Sequence, residues 1–502
     1  MRKEKSVKNF ITSIVPYVII LFLGFFRVNF FIKYLGEEIY ALNTLFYQIF
    51  IYLSLAEAGA GTYIIQMYYK HFATNDKQQI INIYHSAKEL LKRIALIIFV
   101  IGTFSSFFLK LFTNNNLSLL YMQLVFILFL FKNAVDYLMM APKSVIEADQ
   151  KVYKVNFRFY SMKIFEYLVD ILCLYLGFNY AILLLGEIAT RFLTYFVTNK
   201  KIYKEYPWLK NKSTNKVSLK GIGNVFWHRI SEAIHYNTDI IITSSFLSPL
   251  LVTIYSSYNY ITKYLTDVID MVAGSISPSF GNSLYKDEKE NMLKIFEEVN
   301  VAFLFMAGFL STMVFVLGNS FVGNVWLGKK YVIDNLSFIF LVINFFIVIA
   351  RKPLNIYRNS KGLFKETKII ALLEAVVNLV LSLLLVSNFG IAGILIATAI
   401  SMISTTLWYL PFYIYKKDLD MPVYKYYFRF GYVVLIVIFV TILLYKFVNL
   451  FNISNLIIWI MIACLCGIIS LIVYSFIFYL SFKEFKQLKN KFIEFVGRRK
   501  VK

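Results

Sequence analysis

The chain has 502 residues, of which 59% are hydrophobic and 16% charged, and its mean hydropathy is +0.64. Soluble domains carry ~25% charged residues, so the composition excludes a water-soluble globular protein, and with it a disordered, collagenous or coiled-coil chain. The 52 Lys and Arg against 29 Asp and Glu give a net charge of +23, but the charges sit in short islands between long apolar runs, which argues against a nucleic-acid-binding surface.

In chain order, Arg2, Lys3, Lys5 and Lys8 precede an apolar run too long for a signal-peptide core and without a small-residue cleavage site, which reads as an uncleaved first span. A bilayer core of ~30 Å takes about 20 apolar residues per helix. That ruler predicts fourteen spans, at 10–34, 38–66, 92–112, 116–141, 157–177, 179–199, 223–246, 250–281, 296–323, 332–354, 367–388, 390–415, 428–449 and 454–482. Backbone groups in lipid must satisfy one another, so each is expected to be a helix. Between spans 2 and 3, Ile80, Ile81, Ile83, Tyr84, Leu90 and Leu91 alternate with Lys and Gln, a pattern expected of an interfacial amphipathic helix.

Basic residues orient the spans. The N-terminal segment, the loops after even-numbered spans and the tail hold 43 Lys and Arg, against five (Lys33, Lys110, Lys329, Lys330, Lys446) on the other side. This predicts that both termini are cytoplasmic and that the basic loops lie against anionic lipid heads. The outer loops are all short, leaving no room for an extracellular catalytic domain. No GxxxxGK[ST] motif occurs, so ATP hydrolysis is not expected. Cys173, Cys464 and Cys466 lie in apolar runs without zinc or redox spacing. His71, His85, His228 and His235 form no HExxH or Cys cluster. No metal site, resident cofactor or enzyme activity is therefore expected.

An internal repeat organises the chain. Glu57-Ala-Gly59-Ala-Gly61 closes span 2, and Asp270-Met-Val-Ala-Gly274 closes span 8. Glu166 and Asp170 on span 5 match Glu374 and Asn378 on span 11. The expected fold is an all-α integral membrane protein of about fourteen helices, in two six-helix parallel repeats plus two extra C-terminal helices. The expected domains are an N-terminal lobe 1–200, a cytoplasmic linker 201–222, a C-terminal lobe 223–415, spans 13–14 at 428–482 and a basic tail 483–502. Parallel halves of this kind are a transporter architecture, with the site expected at the interface of the halves.

Ionisable groups at bilayer depth are costly and face a bundle interior or a wet cavity. Four basic residues fall there: Arg27, Lys132, Arg191 and Lys263. Ten acids do: Glu57, Asp136, Glu166, Asp170, Glu187, Glu232, Asp239, Asp267, Asp270 and Glu374. Lys132/Asp136, Glu187/Arg191 and Lys263/Asp267 are i,i+4 pairs expected to neutralise each other on one helix face, and Asp270 extends the Lys263 face. Glu166/Asp170 is a like-charge pair that needs an intervening cation or proton. Arg27 has no acid three or four residues away, which points to an anionic ligand. The surplus carboxylates point to ion coupling or gating through a proton or sodium ion. Tyr255, Tyr258 and Tyr260 are candidate cavity-lining rings. His228 and His235 share a helix face.

Several segments resemble polysaccharide-biosynthesis flippases of the multidrug/oligosaccharidyl-lipid/polysaccharide exporter superfamily. These are Leu53-Ser-Leu-Ala-Glu57-Ala-Gly59-Ala-Gly61, Ala148-Asp-Gln150-Lys151, Asp239-Ile-Ile-Ile-Thr243 with Tyr255, and Asn378 through Asn388-Phe-Gly390-Ile-Ala-Gly393 to Ser401. Gly24-Phe-Phe-Arg27 is similar to the first span of the lipid II flippases, which implies that Arg27 faces a central cavity. The resemblance implies a polyprenyl-pyrophosphate-linked oligosaccharide substrate, flipped from the cytoplasmic to the outer leaflet of a bacterial plasma membrane for capsule, O-antigen or exopolysaccharide synthesis. Arg27, Lys132, Arg191 and Lys263 would then serve the headgroup, and polymerase and chain-length proteins of the same pathway become candidate partners alongside membrane lipids. Two alternatives stay open: a cation-coupled multidrug antiporter of the same fold, and an integral-membrane enzyme of the same pathway.

Overall fold

The computed structural model describes residues 2–55, 57, 59–217, 237–286 and 289–490. His228, Glu232 and His235 lie outside them. Among the described residues the chain is all-helical, with no strand. In order, the helices are α1 (Arg2–Ser54), α2 (Ala60–Ala73), α3 (Lys77–Ser105), α4 (Leu119–Ala148), α5 (Tyr153–Tyr175), α6 (Tyr180–Glu205), α7 (237–246), α8 (Pro249–Lys286), α9 (Lys289–Ser320), α10 (Asn335–Ala350), α11 (Lys352–Lys361), α12 (Phe364–Ser404), α13 (Thr406–Pro411), α14 (Tyr424–Val448) and α15 (Leu456–Ser481). It is a multi-pass membrane protein: nine of these described segments are long and apolar enough to cross a bilayer.

The predicted spans fall on these helices except the seventh, of which only 237–246 lies among the described residues, and the second (38–66) is interrupted between Ser54 and Ala60. α1 carries spans 1 and 2 across a break at Gly36 (φ 83°, ψ 167°), and α12 carries spans 11 and 12 across Gly390 (φ 56°, ψ −131°). Both backbones lie where a side chain is strained and glycine is not. α5 and α8 form as predicted, yet neither passes as a span on hydropathy: α5 carries too many charges, and α8 is diluted by Tyr, Ser, Thr and Asn. Short polar turns start the next helix through a side-chain cap. Ser118 accepts from the Tyr121 amide (3.3 Å), Asn179 from Ile182 (3.0 Å), Asp334 from Ser337 (2.9 Å) and Asn455 from Ile458 (2.9 Å).

Two compact units divide the chain, Met1–Thr253 and Ile254–Lys502. In the first, α1 packs on α5, α3 on α4, and α6 on both α4 and α5. In the second, α9 is central and receives α10, α14 and α15. Gly308 of α9 makes the last contact close, since a Cβ there would stand 2.9 Å from the Tyr474 ring of α15. The remaining faces of α14 and α15 expose Leu435, Phe439, Leu443, Ile457, Ile468 and Phe476, the surface a helix offers to lipid.

The segment expected to lie as an interfacial amphipathic helix does something else. Ile80, Ile81, Ile83, Tyr84 and Leu91 are 1–2% exposed. Ile80, Ile83, Tyr84 and Leu91 form a core with Tyr68 of α2, Val145 of α4, Ile202 of α6 and Leu209. The apolar face was real, but protein rather than lipid covers it. Around the same core the Tyr206 hydroxyl donates to Asp149 (2.7 Å). Burial, reinforced by that carboxylate, pushes the Tyr206 phenol well above its ordinary range.

Candidate functional site

Eight charged side chains from four helices of the first unit meet in one network. Arg27 comes from α1, and Lys132 and Asp136 from successive turns of α4. Lys163, Glu166 and Asp170 share one face of α5, and Glu187 and Arg191 are one turn apart on α6. Arg27 donates through Nε to Asp170 Oδ2 (2.6 Å) and through Nη2 to Glu187 Oε1 (2.5 Å). Lys132 Nζ reaches Glu187 Oε2 at 2.8 Å and the Tyr47 hydroxyl at 3.3 Å. Arg191 grips both Asp136 oxygens (2.9 and 2.8 Å) through Nη1, and its Nε lies 3.1 Å from Glu166 Oε2. Lys163 Nζ donates to Glu166 Oε1 at 2.6 Å.

Four cations thus balance four carboxylates. Desolvating an ion costs several kcal/mol, and only close opposite charge with filled hydrogen bonds compensates it. Burial deepens along the network: Asp136 is 35% exposed and Lys163 26%, whereas Glu187 is 2% and Lys132 1%. Aromatic faces line the cations, with Phe129 4.5 Å from Lys132 Nζ, and Tyr167 5.5 Å from the Arg27 guanidinium and 4.9 Å from Lys163 Nζ. Such contacts suit a cation with part of its hydration removed. Glu166, Asp170 and Glu187 bring carboxylate oxygens within 4.8 Å of one another, a donor set for a small cation. Side-chain cations already fill the position between them, so an added ion would have to displace one.

This geometry corrects three expectations. Arg27 is not an unpaired cation; its partners lie 143 and 160 residues away, beyond any helical spacing rule. Two of the three i,i+4 pairs do not close on their own helices but exchange partners between α4 and α6, Lys132 with Glu187 and Asp136 with Arg191. The Glu166/Asp170 repulsion is met by Lys163, Arg191 and Arg27. Lys163, counted by sequence among the loop charges, belongs to the network. Its position three residues before Glu166 and seven before Asp170 was the available signal.

The second unit holds a smaller buried pair. Glu374 of α12 accepts from Arg351 Nη1 (3.1 and 3.3 Å), which also donates to Thr406 Oγ1 (2.8 Å). The Thr406 hydroxyl in turn contacts Glu374. Sequence placed Arg351 in a basic loop; it is 5% exposed. Asp270 pairs with Lys352 rather than continuing a Lys263 face. Lys263 is exposed on α8 and, among the described residues, has no ion-pair partner. Asp267 and Asp239 both have partners, and Asp239 is buried. Glu57 hydrogen-bonds the Tyr137 hydroxyl at the break between α1 and α2. Tyr255 and Tyr258 are buried, Tyr258 donating to Asn319 (2.6 Å), and Tyr260 stacks against Tyr264 and Trp326.

No protein-family model and no curated protein sequence matches the chain. Solved structures do match its fold. The lipid II flippase MurJ, in an inward closed conformation, superposes with a TM-score of 0.65 at 17% identity, over 93% of this chain and 99% of that one. The MATE multidrug transporter DinF-BH gives 0.55 at 16%, over 81% and 95%. An inward-facing multidrug resistance MATE family transporter of the MOP superfamily gives 0.57 at 15%, over 80% and 97%. The chain therefore has the fold that these transporters share.

Proposed function

We propose that the chain is a flippase that moves a polyprenyl-pyrophosphate-linked oligosaccharide from the cytoplasmic to the outer leaflet by alternating access. One observation carries the reading: the likeness to MurJ runs through 93% of this chain and 99% of that flippase, whereas the MATE transporters leave about a fifth of this chain unmatched. The chemistry of the buried network supports it. Guanidinium and ammonium groups recognise a pyrophosphate by charge-assisted hydrogen bonds, which arginine makes in pairs. Arg27, Lys132 and Arg191 supply such groups within the spans. Their carboxylate partners keep them compensated while no substrate is bound, and the headgroup exchanges for those carboxylates when it enters.

Glu166, Asp170 and Glu187 are then the groups that a coupling proton or sodium ion would neutralise. The excess of basic residues in the even-numbered loops supports a plasma-membrane protein with both termini in the cytoplasm. The role needs no catalytic residue. The test is a scrambling assay in proteoliposomes with a fluorescent polyprenyl-pyrophosphate oligosaccharide and a membrane-impermeant quencher. Protein-dependent loss of the protected fraction is expected. A protected fraction that stays constant, together with proton- or sodium-driven efflux of a cationic dye, would instead assign multidrug antiport.

A further inference from the structure

A second charged site lies at the start of the third span, and the transport reading does not use it. Residues 206–217 run back along the first turns of α3 as a strap. Asn82, 1% exposed, is its anchor. Asn82 Oδ1 accepts from the Thr214 amide and the Ser213 hydroxyl, both at 3.0 Å, and from the Asn215 amide at 3.4 Å. The Val217 amide donates to Ser86 Oγ (3.0 Å), and His85 Nε2 lies 2.9 Å from the Asn211 carbonyl. A carbonyl only accepts, so Nε2 carries a proton.

Between strap and helix is a cavity of about 450 Å³ whose lining includes Lys88 and Lys92 from α3 and Lys216 from the strap. His85, Ser86 and Ser213 add polar groups to the wall. The Ser86 hydroxyl accepts from Val217, leaving its own proton to donate. Among the described residues Glu89 is the one acid in the wall, and Arg93 of the next turn is its close partner, with Lys216 Nζ at 3.7 Å. The cavity is therefore a net-positive space between two pieces of chain that share like charges.

Its depth points to the ligand. On α3 the exposed apolar surface begins at Leu96 and Ile97 and continues through Val100 and Ile101. At a 1.5 Å rise, Lys92 lies about 6 Å and Lys88 about 12 Å below Leu96. The headgroup layer of a bilayer is roughly 5–7 Å thick on each side, so Lys92 starts within the layer of the lipid phosphates and Lys88 about one helical turn beyond its aqueous edge. We propose that the strap–α3 cavity binds a phosphate-bearing anion, with an anionic phospholipid headgroup the source its depth favours, and that the bound phosphate ties the strap to α3 by bridging Lys216 to Lys88 and Lys92.

The test uses the full-length protein in phosphatidylcholine nanodiscs. Short-chain phosphatidylglycerol and inorganic phosphate are titrated separately, and hydrogen exchange is followed at the 211–217 amides. Saturable slowing of exchange is expected with phosphatidylglycerol. The triple variant Lys88→Gln/Lys92→Gln/Lys216→Gln should weaken that response about tenfold or more, since each surface lysine adds ~1 kcal/mol toward an anionic lipid. A control variant, Lys416→Gln/Lys417→Gln/Lys425→Gln, should leave it unchanged. Lys92 and Lys216 are exposed and Lys88 half-buried, and glutamine keeps the polar end and part of the stem of each, so folding is retained. A response to inorganic phosphate alone, abolished by the same triple variant, would assign the site to a soluble phosphate. Equal responses in the wild type and the triple variant, or no response to either ligand, would overturn the proposal.

Discussion

Replacing Glu187 with Gln removes one charge and almost no volume, and it tests whether the buried network is held by its charge balance. Glu187 is 2% exposed and serves two cations, Arg27 at 2.5 Å and Lys132 at 2.8 Å. The two losses are unequal. Arg27 keeps Asp170, whereas Lys132, 1% exposed, keeps only the Tyr47 hydroxyl at 3.3 Å and the Phe129 ring. Leaving a buried charge without its partner costs about 3–5 kcal/mol. An ammonium can always shed its proton, which caps the cost near ~4.6 kcal/mol at pH 7 given a free-lysine pKa of about 10.4. Glu187→Gln should therefore lose ~3–4.6 kcal/mol in equilibrium unfolding of the purified protein in mixed micelles. Lys132→Met combined with Glu187→Gln should recover most of it, because the stranded charge is gone. A single variant within about 1 kcal/mol of wild type, or a double variant no better than the single, would refute the reasoning.

Other positions give sharper local tests. Arg351→Met should destabilise the second unit by about 3–5 kcal/mol by stranding Glu374, and Arg351→Met/Glu374→Gln should restore much of that, read by the same unfolding measurement. Asn82→Ala removes the acceptor shared by Ser213, Thr214 and Asn215. It should cost about 1–3 kcal/mol and speed hydrogen exchange at 211–217 without changing exchange in α5. Gly36→Ala and Gly390→Ala place a Cβ where no atom lies within 4 Å. Their cost is purely conformational, about 1–2 kcal/mol each, and a melting temperature unchanged in both would show that neither backbone is held at positive φ. Tyr206→Phe should cost about 1 kcal/mol through the lost bond to Asp149, far less than either buried-charge variant.

The spans were legible because a membrane helix is specified locally, by length and hydropathy. Even α5 and α8, too polar for a hydropathy criterion alone, could be placed from their neighbours and the alternation of basic loops. The candidate site was legible as a set of residues and not as a set of contacts. Helical spacing links Lys132 to Asp136 and Glu187 to Arg191, and it is silent on which helices pack together. Once α4 lies against α6, each residue finds a nearer opposite charge across the interface. Arg27 shows the same limit, since a rule reaching four residues cannot see partners 143 and 160 residues away. The segment 80–91 failed differently: amphipathicity reports that one face will be covered, and protein and lipid leave the same pattern. Arg351 failed because a basic residue in the last turn of a predicted span looks like a loop charge until the helix carrying Glu374 is packed beside it.

The balance of four cations against four carboxylates bears on how a flippase of this kind would work. An anionic headgroup cannot simply join the network, because every cation in it is already satisfied and the added charge would be uncompensated. To bind Arg27 and Lys132 it must displace Glu187 and Asp170, and a displaced carboxylate at that depth must take up a proton or a small cation. Asp170 is the group best placed to do so. Its Oδ2 is held by Arg27, while its Oδ1 has no hydrogen-bond partner among the described residues. Headgroup binding and cation uptake would then share one free energy, and linkage makes that coupling reciprocal: whichever cation neutralises Asp170 must raise affinity for the headgroup by the factor that the headgroup raises affinity for the cation. The four carboxylates of the network are on this view the counter-charge of the binding site, which is why they equal its cations in number and lie within hydrogen-bonding distance of them.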